Sequence, residues 1–227
     1  MPSKSIDHAF TARQNLGAAS DPTHAGALSF MRRRFTKKAA GADVVVWGIP
    51  FDAAVSNRPG ARFGPQAIRR ASAIFDNDPQ YPFGADLFDK LSVVDYGDCL
   101  LDYGNHQKTP GIIEREAKKL LKSDAFLLSL GGDHFVTWPL LKAHAEKQGI
   151  TAGQFAVAWV LNNRLVTGTI AGPRTFAQWT DYLGALDYRF TAEDEALVDS
   201  LVPAGHPSTP GYTDPAYPLE GRVARSG

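Results

Sequence analysis

Cysteine, net charge and long hydrophobic runs are scarce in this chain of 227 residues. Cys99 is its only cysteine, which excludes an internal disulfide framework and is typical of a reducing cytoplasm. Basic and acidic residues both number 24, so no net charge draws the chain to nucleic acid or to an acidic membrane. The longest apolar stretches, around 44–51 and 125–130, are too short to span a bilayer, and the first 20 residues lack an apolar signal-peptide core. We therefore expect a cytoplasmic protein without membrane or nucleic-acid partners.

Alternating strand and helix patterns begin at residue 43. Three apolar runs rich in β-branched residues predict strands buried on both faces, at 43–51, 91–98 and 125–133. Helical patterns follow these runs, at 65–75, 109–122 and 137–149. The alternation predicts an α/β fold with a parallel sheet. The basic run at 31–38 (MRRRFTKK) is interpreted as a solvated helix face.

A glycine-rich turn closes the third predicted strand, with the sequence Ser-Leu-Gly-Gly-Asp-His at 129–134. Ligand sites in parallel sheets form at the carboxyl ends of strands, and glycine lets the backbone approach an ion closely. His134 can offer a neutral imidazole to a divalent metal. His134 is therefore a candidate metal ligand, and the alternative is a structural histidine at the end of a strand.

Three motifs, in this order, resemble the agmatinase and arginase family of ureohydrolases. WGIPFDAAVSNRPGARFGPQAIR at 47–69 is similar to the family's signature loop, YGD at 96–98 follows the second strand, and GGDH closes the third. The resemblance covers about residues 8–148 and implies part of a three-layer arginase-like parallel sheet, manganese, and a small guanidino substrate such as agmatine. It also implies that His134 is the first manganese ligand, that Gly131 and Gly132 shape the site, and that the loop 58–62 packs near its entrance.

The family's other metal ligands have no counterpart after His134. The resemblance implies two manganese ions, bridged by a hydroxide that attacks the guanidinium carbon and held by later Asp-Ala-His-x-Asp and Asp-x-Asp motifs. Only His144 and His206 follow His134, and neither begins a His-x-Asp sequence. The Asp-Asn-Asp sequence at 76–78 has suitable spacing but precedes the second strand and is typical of a turn. One imidazole cannot hold a binuclear site, so we assign no catalytic residue and predict an inactive ureohydrolase.

From about residue 145 the sequence resembles the C-terminal end of an aldo-keto reductase. The segments that carry this resemblance are 151–163, 166–178, 185–197 and the proline-rich tail from 203. It implies a mostly helical segment with one barrel strand at 166–171, and NADP contacts from Gly172, Arg174 and Gln178. A helix start after Gly172 would offer N–H groups to a phosphate, and the Arg174 guanidinium suits a bidentate phosphate contact. The alternative is that Arg174 faces water, since the reductase's catalytic residues are absent.

Two segments of different origin are therefore predicted. Residues 1–148 form a truncated agmatinase-like segment and residues 149–227 form the end of a reductase, with a crossover within 140–149. Three functions follow as alternatives: an inactive manganese ureohydrolase, an NADP-linked reductase fragment, or a non-functional product of gene fusion or degradation. A homo-oligomer is compatible with each of them.

Overall fold

The computed structural model describes residues 7–201, apart from 18–20, 76–78, 80, 82–83 and 165. The chain divides after His144 into two compact units. The Asp-Asn-Asp sequence at 76–78, His206 and the proline-rich tail lie outside the described residues.

The first unit is organised around a parallel sheet of four strands: β1 (Arg34–Phe35), β2 (Val44–Ile49), β3 (Val93–Asp98) and β4 (Phe126–Gly131). Their order is β1-β3-β2-β4, and every neighbouring pair is parallel. β2 lies inside the sheet and is almost entirely buried, as its unbroken apolar run predicted. The predicted α/β class and its three strands are confirmed, whereas β1 has only two residues and is too short for a periodic pattern.

Among the described residues, four α-helices belong to or begin in the first unit: α1 (His8–Thr11), α2 (Gly64–Ser72), α3 (Thr109–Leu120) and α4 (Thr137–Lys147). A proline occupies the first turn of both α2 and α3, where no N–H partner is needed. α3 buries Ile113, Ala117 and Leu120, which share one face at helical spacing. Burying a side chain of the size of Ile113 stabilises the fold by about 1.5–3 kcal/mol.

The basic run at 31–38 is not a solvated helix face, and that prediction was wrong. Met31 and Arg32 have left-handed backbone angles (φ 46° and 53°), which interrupt any helix. The side chain of Arg32 is fully buried, and its guanidinium donates to the backbone carbonyls of Pro22, Ala25 and Ala73 at 2.9, 2.8 and 3.1 Å. A cation is tolerated in the interior because these acceptors replace water and because the buried Asp21 carboxylate lies 3.5 Å from the guanidinium.

The second unit is helical where it is described, with α5 (Ala152–Leu161), α6 (Phe176–Leu183) and α7 (Ala192–Leu201). The rings of Phe155 and Phe190 pack with their centroids 5.0 Å apart in its core. The predicted barrel strand at 166–171 is not formed: the described residues there carry no strand, and Ile170 is fully exposed. A strand requires a partner for its backbone groups, and the described part of this unit supplies only helices.

Across the described residues, every helix is too short or too polar to cross a membrane.

Candidate functional site

The three longer strands end side by side at the carboxyl edge of the sheet. Ile49 of β2 is in register with Gly131 of β4, and Gly48 is in register with Asp98 of β3. The segments that follow these strands therefore emerge at the same edge, which is where parallel sheets form ligand sites. The glycine-rich turn at 131–134 is one of them.

This turn is held against the segment after β2 by a ladder of hydrogen bonds. The N–H of Gly132 donates to the carbonyl of Ile49 at 3.1 Å, and the N–H of Asp133 donates to that of Phe51 at 2.8 Å. The buried Asp133 carboxylate accepts from the N–H groups of Ala54 at 3.0 Å and Phe135 at 3.1 Å. The turn is thus fixed by main-chain and carboxylate contacts within the protein.

His134, the predicted metal ligand, begins a short 3₁₀ helix that ends at Val136. Its side chain is exposed, and within the part of the chain that the structure describes it forms no hydrogen bond or ion pair. Neither ring nitrogen of His134 is bonded to a protein group in this part of the chain, so the imidazole can bind an external ligand.

The carboxylate that follows β2, that of Asp52, is already engaged in contacts within the protein. Asp52 is buried and receives hydrogen bonds from the Arg62 Nε at 2.5 Å and the Gly60 N–H at 2.6 Å. The Arg62 guanidinium is the main reason that the pKa of Asp52 is lowered to about 2. This ion pair anchors the loop 58–62, which the resemblance assigned to the site entrance, to the segment after β2.

The residues that the structure describes do not fit a binuclear manganese centre. Two bridged cations need several ligands, mainly carboxylates, within one cluster. No group of three or more histidine, cysteine, aspartate or glutamate side chains that could hold a metal ion occurs among the described residues. Asp52 and Asp133 contribute to the structure of the loops, since their oxygens accept hydrogen bonds from Arg62 and from backbone N–H groups.

The sequence analysis missed a cluster of ion pairs that Arg69 forms with two aspartates. The Arg69 guanidinium binds Asp95 through two hydrogen bonds of 2.7 and 3.0 Å and binds Asp98 at 2.6 Å. Asp95 is fully buried and also accepts from the N–H groups of Phe30 and Gly97. Burial lowers the pKa of Arg69, but the bonds to both aspartates outweigh it and the pKa is raised. The signal in the sequence was an aspartate inside the apolar run VVDYGD.

The three residues predicted to contact NADP lie together at the start of α6 in the second unit. The Gln178 side-chain oxygen accepts from the N–H groups of Arg174 at 2.7 Å and Thr175 at 3.2 Å. Thr175 in turn accepts from the Gln178 N–H at 3.2 Å and completes a capping box. Gly172 and Arg174 are exposed. The structure thus gives Gln178 a capping role and commits two N–H groups that a phosphate would need.

The first unit is a parallel α/β fold with an ordered glycine-rich turn at the carboxyl edge of its sheet. This places the chain in the class of α/β proteins whose ligand sites form at that edge. The arginase family model matches residues 42–160, slightly more than half of the chain. The chain belongs to the arginase family.

Relatives with known names agree with this assignment. An agmatinase from Chromobacterium violaceum is 52% identical over 139 residues, which are 60% of this chain and 43% of the relative. A solved structure described as a hypothetical agmatinase from Burkholderia thailandensis has a TM-score of 0.62 at 46% identity, over 63% of this chain and 46% of that one. Proclavaminate amidino hydrolase from Streptomyces clavuligerus has a TM-score of 0.52 at 38% identity, over 57% and 43% of the two chains.

These comparisons also set the extent of the likeness. The chain spans less than half the length of these three relatives. The family match ends at residue 160, past the crossover that the sequence analysis expected within 140–149. The arginase family match thus covers most of the first unit and extends into the second, over most of α5, while the origin of the residues after 160 stays a prediction.

Proposed function

We propose that this chain carries the front part of an agmatinase-type ureohydrolase site, whose substrate class is a small guanidino compound such as agmatine. The observation that supports it is the turn at 131–134, which is bonded to the end of β2 and leaves the His134 imidazole open. The names of the Chromobacterium and Burkholderia relatives supply the substrate class.

We further propose that this 227-residue chain by itself is catalytically incomplete. Hydrolysis of a guanidinium needs a strongly activated water, and two metal ions would supply that activation. His134 is one donor, and the nearby Asp52 and Asp133 are committed to loop contacts. The described part of the chain can therefore offer a binding turn and an imidazole, but it contains no cluster of metal-binding side chains that could hold two cations together.

Urea release from agmatine in the presence of Mn²⁺ will be indistinguishable from a protein-free blank.

Equilibrium dialysis will show weak Mn²⁺ retention at most, and His134→Ala will remove whatever retention exists. His24→Ala is the matched control, because His24 is also an exposed histidine of the first unit and should leave retention unchanged.

Two outcomes would overturn the proposed incompleteness. One is Mn²⁺-dependent urea release that His134→Ala abolishes and His24→Ala preserves. The other is two tightly held manganese ions per chain, which would require ligands beyond the His134 turn.

For the second unit we propose a capping role for Gln178 with at most a weak nucleotide contact at Arg174. Phosphate would have to displace the Gln178 oxygen from the Arg174 and Thr175 N–H groups, and one guanidinium is only part of a site. Titration calorimetry with NADP should give a dissociation constant in the millimolar range or weaker. Micromolar affinity that is lost in Arg174→Met but kept in the control Arg189→Met would instead support the reductase-fragment alternative.

The third alternative is a product of gene fusion or degradation with no selected function. Its support is the predicted resemblance to a reductase from about residue 145, which lies close to the division of the chain into two units after His144, although the arginase family match continues to residue 160. Long-read sequencing of the locus decides between the cases. Two intact separate genes would make the fused chain an assembly artefact, and a single intact transcript would make it a real product.

A further inference from the structure

A cavity of about 800 Å³ lies in the first unit between the loop at 23–28 and helix α2. Its volume falls within the range of about 300–1,000 Å³ that is typical of small-molecule pockets. None of its lining residues belongs to the glycine-rich turn or to the Asp52 loop. The cavity therefore shares no lining residue with the site proposed for the guanidino substrate.

The charge of this cavity is positive. Arg69, Arg70 and His24 line it, and no aspartate or glutamate does so among the described residues. Arg69 is neutralised by Asp95 and Asp98. Arg70 is exposed, and neither it nor His24 has an ion pair or a side-chain hydrogen bond in the described part of the chain. Arg70 thus presents an uncompensated guanidinium, whose planar donor fork suits a carboxylate.

Apart from Thr23 and Gln66, the rest of the lining is apolar, and its two largest side chains are exposed to solvent. Phe63 is 64% exposed and Leu28 is 48% exposed, and Ala67 lies on the same wall of α2 as Arg70. A ligand with an apolar body would cover Phe63 and Leu28 while its charged end reached Arg70. Covering such surface is favourable by about 25 cal/mol for each Å² removed from water.

Arg32 fixes the two walls of the cavity relative to each other. Its buried guanidinium bonds to Pro22 and Ala25 in the loop and to Ala73 at the end of α2. Ala25 and Ala73 also line the cavity. Because one buried side chain links both walls, the cavity is formed in advance, and a ligand need not pay the conformational entropy of assembling it.

We propose that this cavity binds a small organic carboxylate with an apolar body, with Arg70 holding the carboxylate and with Phe63 and Leu28 covering the body. A cationic guanidino compound is disfavoured there by the Arg70 charge. The proposal does not depend on hydrolytic activity, so it can hold or fail independently of the proposed function.

Calorimetric titration of the full chain with 4-phenylbutanoate tests the proposal, with 4-phenylbutylamine and acetate as matched ligands. The amine keeps the body and reverses the charge, and acetate keeps the charge without the body. Binding should be at least about tenfold weaker for both. Arg70→Met should weaken 4-phenylbutanoate binding about tenfold, whereas the exposed α3 control Arg115→Met should not change it.

A second variant addresses the cavity itself. Ala67→Trp leaves Arg70 in place and fills the space beside it, so it should also abolish binding, while circular dichroism checks that the variant is folded. Equal affinity for the amine, equal affinity for acetate, or an undiminished affinity in Ala67→Trp would each overturn the proposal. Equal losses in Arg70→Met and Arg115→Met would show only diffuse attraction to positive charge and would overturn it as well.

Discussion

Replacing Arg69 with methionine will lower the free energy of unfolding of the first unit by about 3–5 kcal/mol. Asp95 is fully buried, and Arg69 supplies the only guanidinium that its carboxylate binds among the described residues. Removing one partner leaves an uncompensated charge in the interior, and the remaining donors, the N–H groups of Phe30 and Gly97, cannot neutralise it. Methionine keeps much of the apolar stem, so the loss reports on the charge and not on packing.

Urea denaturation measures this loss, and Arg70→Met is the control because Arg70 is the neighbouring but exposed residue of α2. The control should change stability by less than about 0.5 kcal/mol. The double variant Arg69→Met with Asp95→Asn should recover part of the loss, because both charges are then gone. A cost for Arg69→Met no larger than that of Arg70→Met would mean that the Asp95 pair contributes no net stability.

Gly132→Ala will destabilise the protein by about 3 kcal/mol or more, whereas Gly131→Ala will be tolerated. A Cβ on Gly132 would overlap the carbonyl oxygen of Phe51 and would lie 2.8 Å from that of Ile49, both of them backbone atoms. Avoiding the overlap would break the hydrogen bonds that join the turn to β2. A Cβ on Gly131 meets only a Val136 methyl group at 3.4 Å, which is an ordinary van der Waals contact.

The two glycine variants are matched, because they add the same methyl group at adjacent positions of one turn. Thermal and urea unfolding should separate them clearly, and exchange of the Asp133 amide proton should be faster in Gly132→Ala because its bond to Phe51 is strained or lost. Equal stabilities would show that the turn can move away from β2 at little cost, and would weaken the view that it is fixed in advance.

Local sequence patterns were sufficient for much of the fold. Apolar runs at 43–51, 91–98 and 125–133 predicted three strands because a strand buried on both faces must be apolar throughout. Parallel pairing followed from the helices between them. The glycine-rich turn was recognised from its composition and from its position after a strand. The predicted strand at 166–171 failed because its apolar residues said nothing about a partner strand, and the described residues of the second unit form no strand.

What each polar residue does was decided by the tertiary structure. The basic run at 31–38 looked like a solvated surface, yet Arg32 is buried because the folded chain brings carbonyls from positions 22, 25 and 73 around it. The pairing of Arg69 with Asp95 joins residues 26 positions apart, and no local pattern reports it.

The glycine-rich turn shows the same division. As sequence, Gly131 and Gly132 are equivalent and His134 is a ligand by analogy. In the fold, only Gly132 meets the backbone after β2, while His134 stands open and Asp133 is committed to the loop. The sequence by itself determined the order of the three longer strands and of the helices that follow them, because apolar periodicity is a local property. Packing alone decided which glycine is indispensable and which charges are paired, because those depend on atoms that are distant in the chain and close in space.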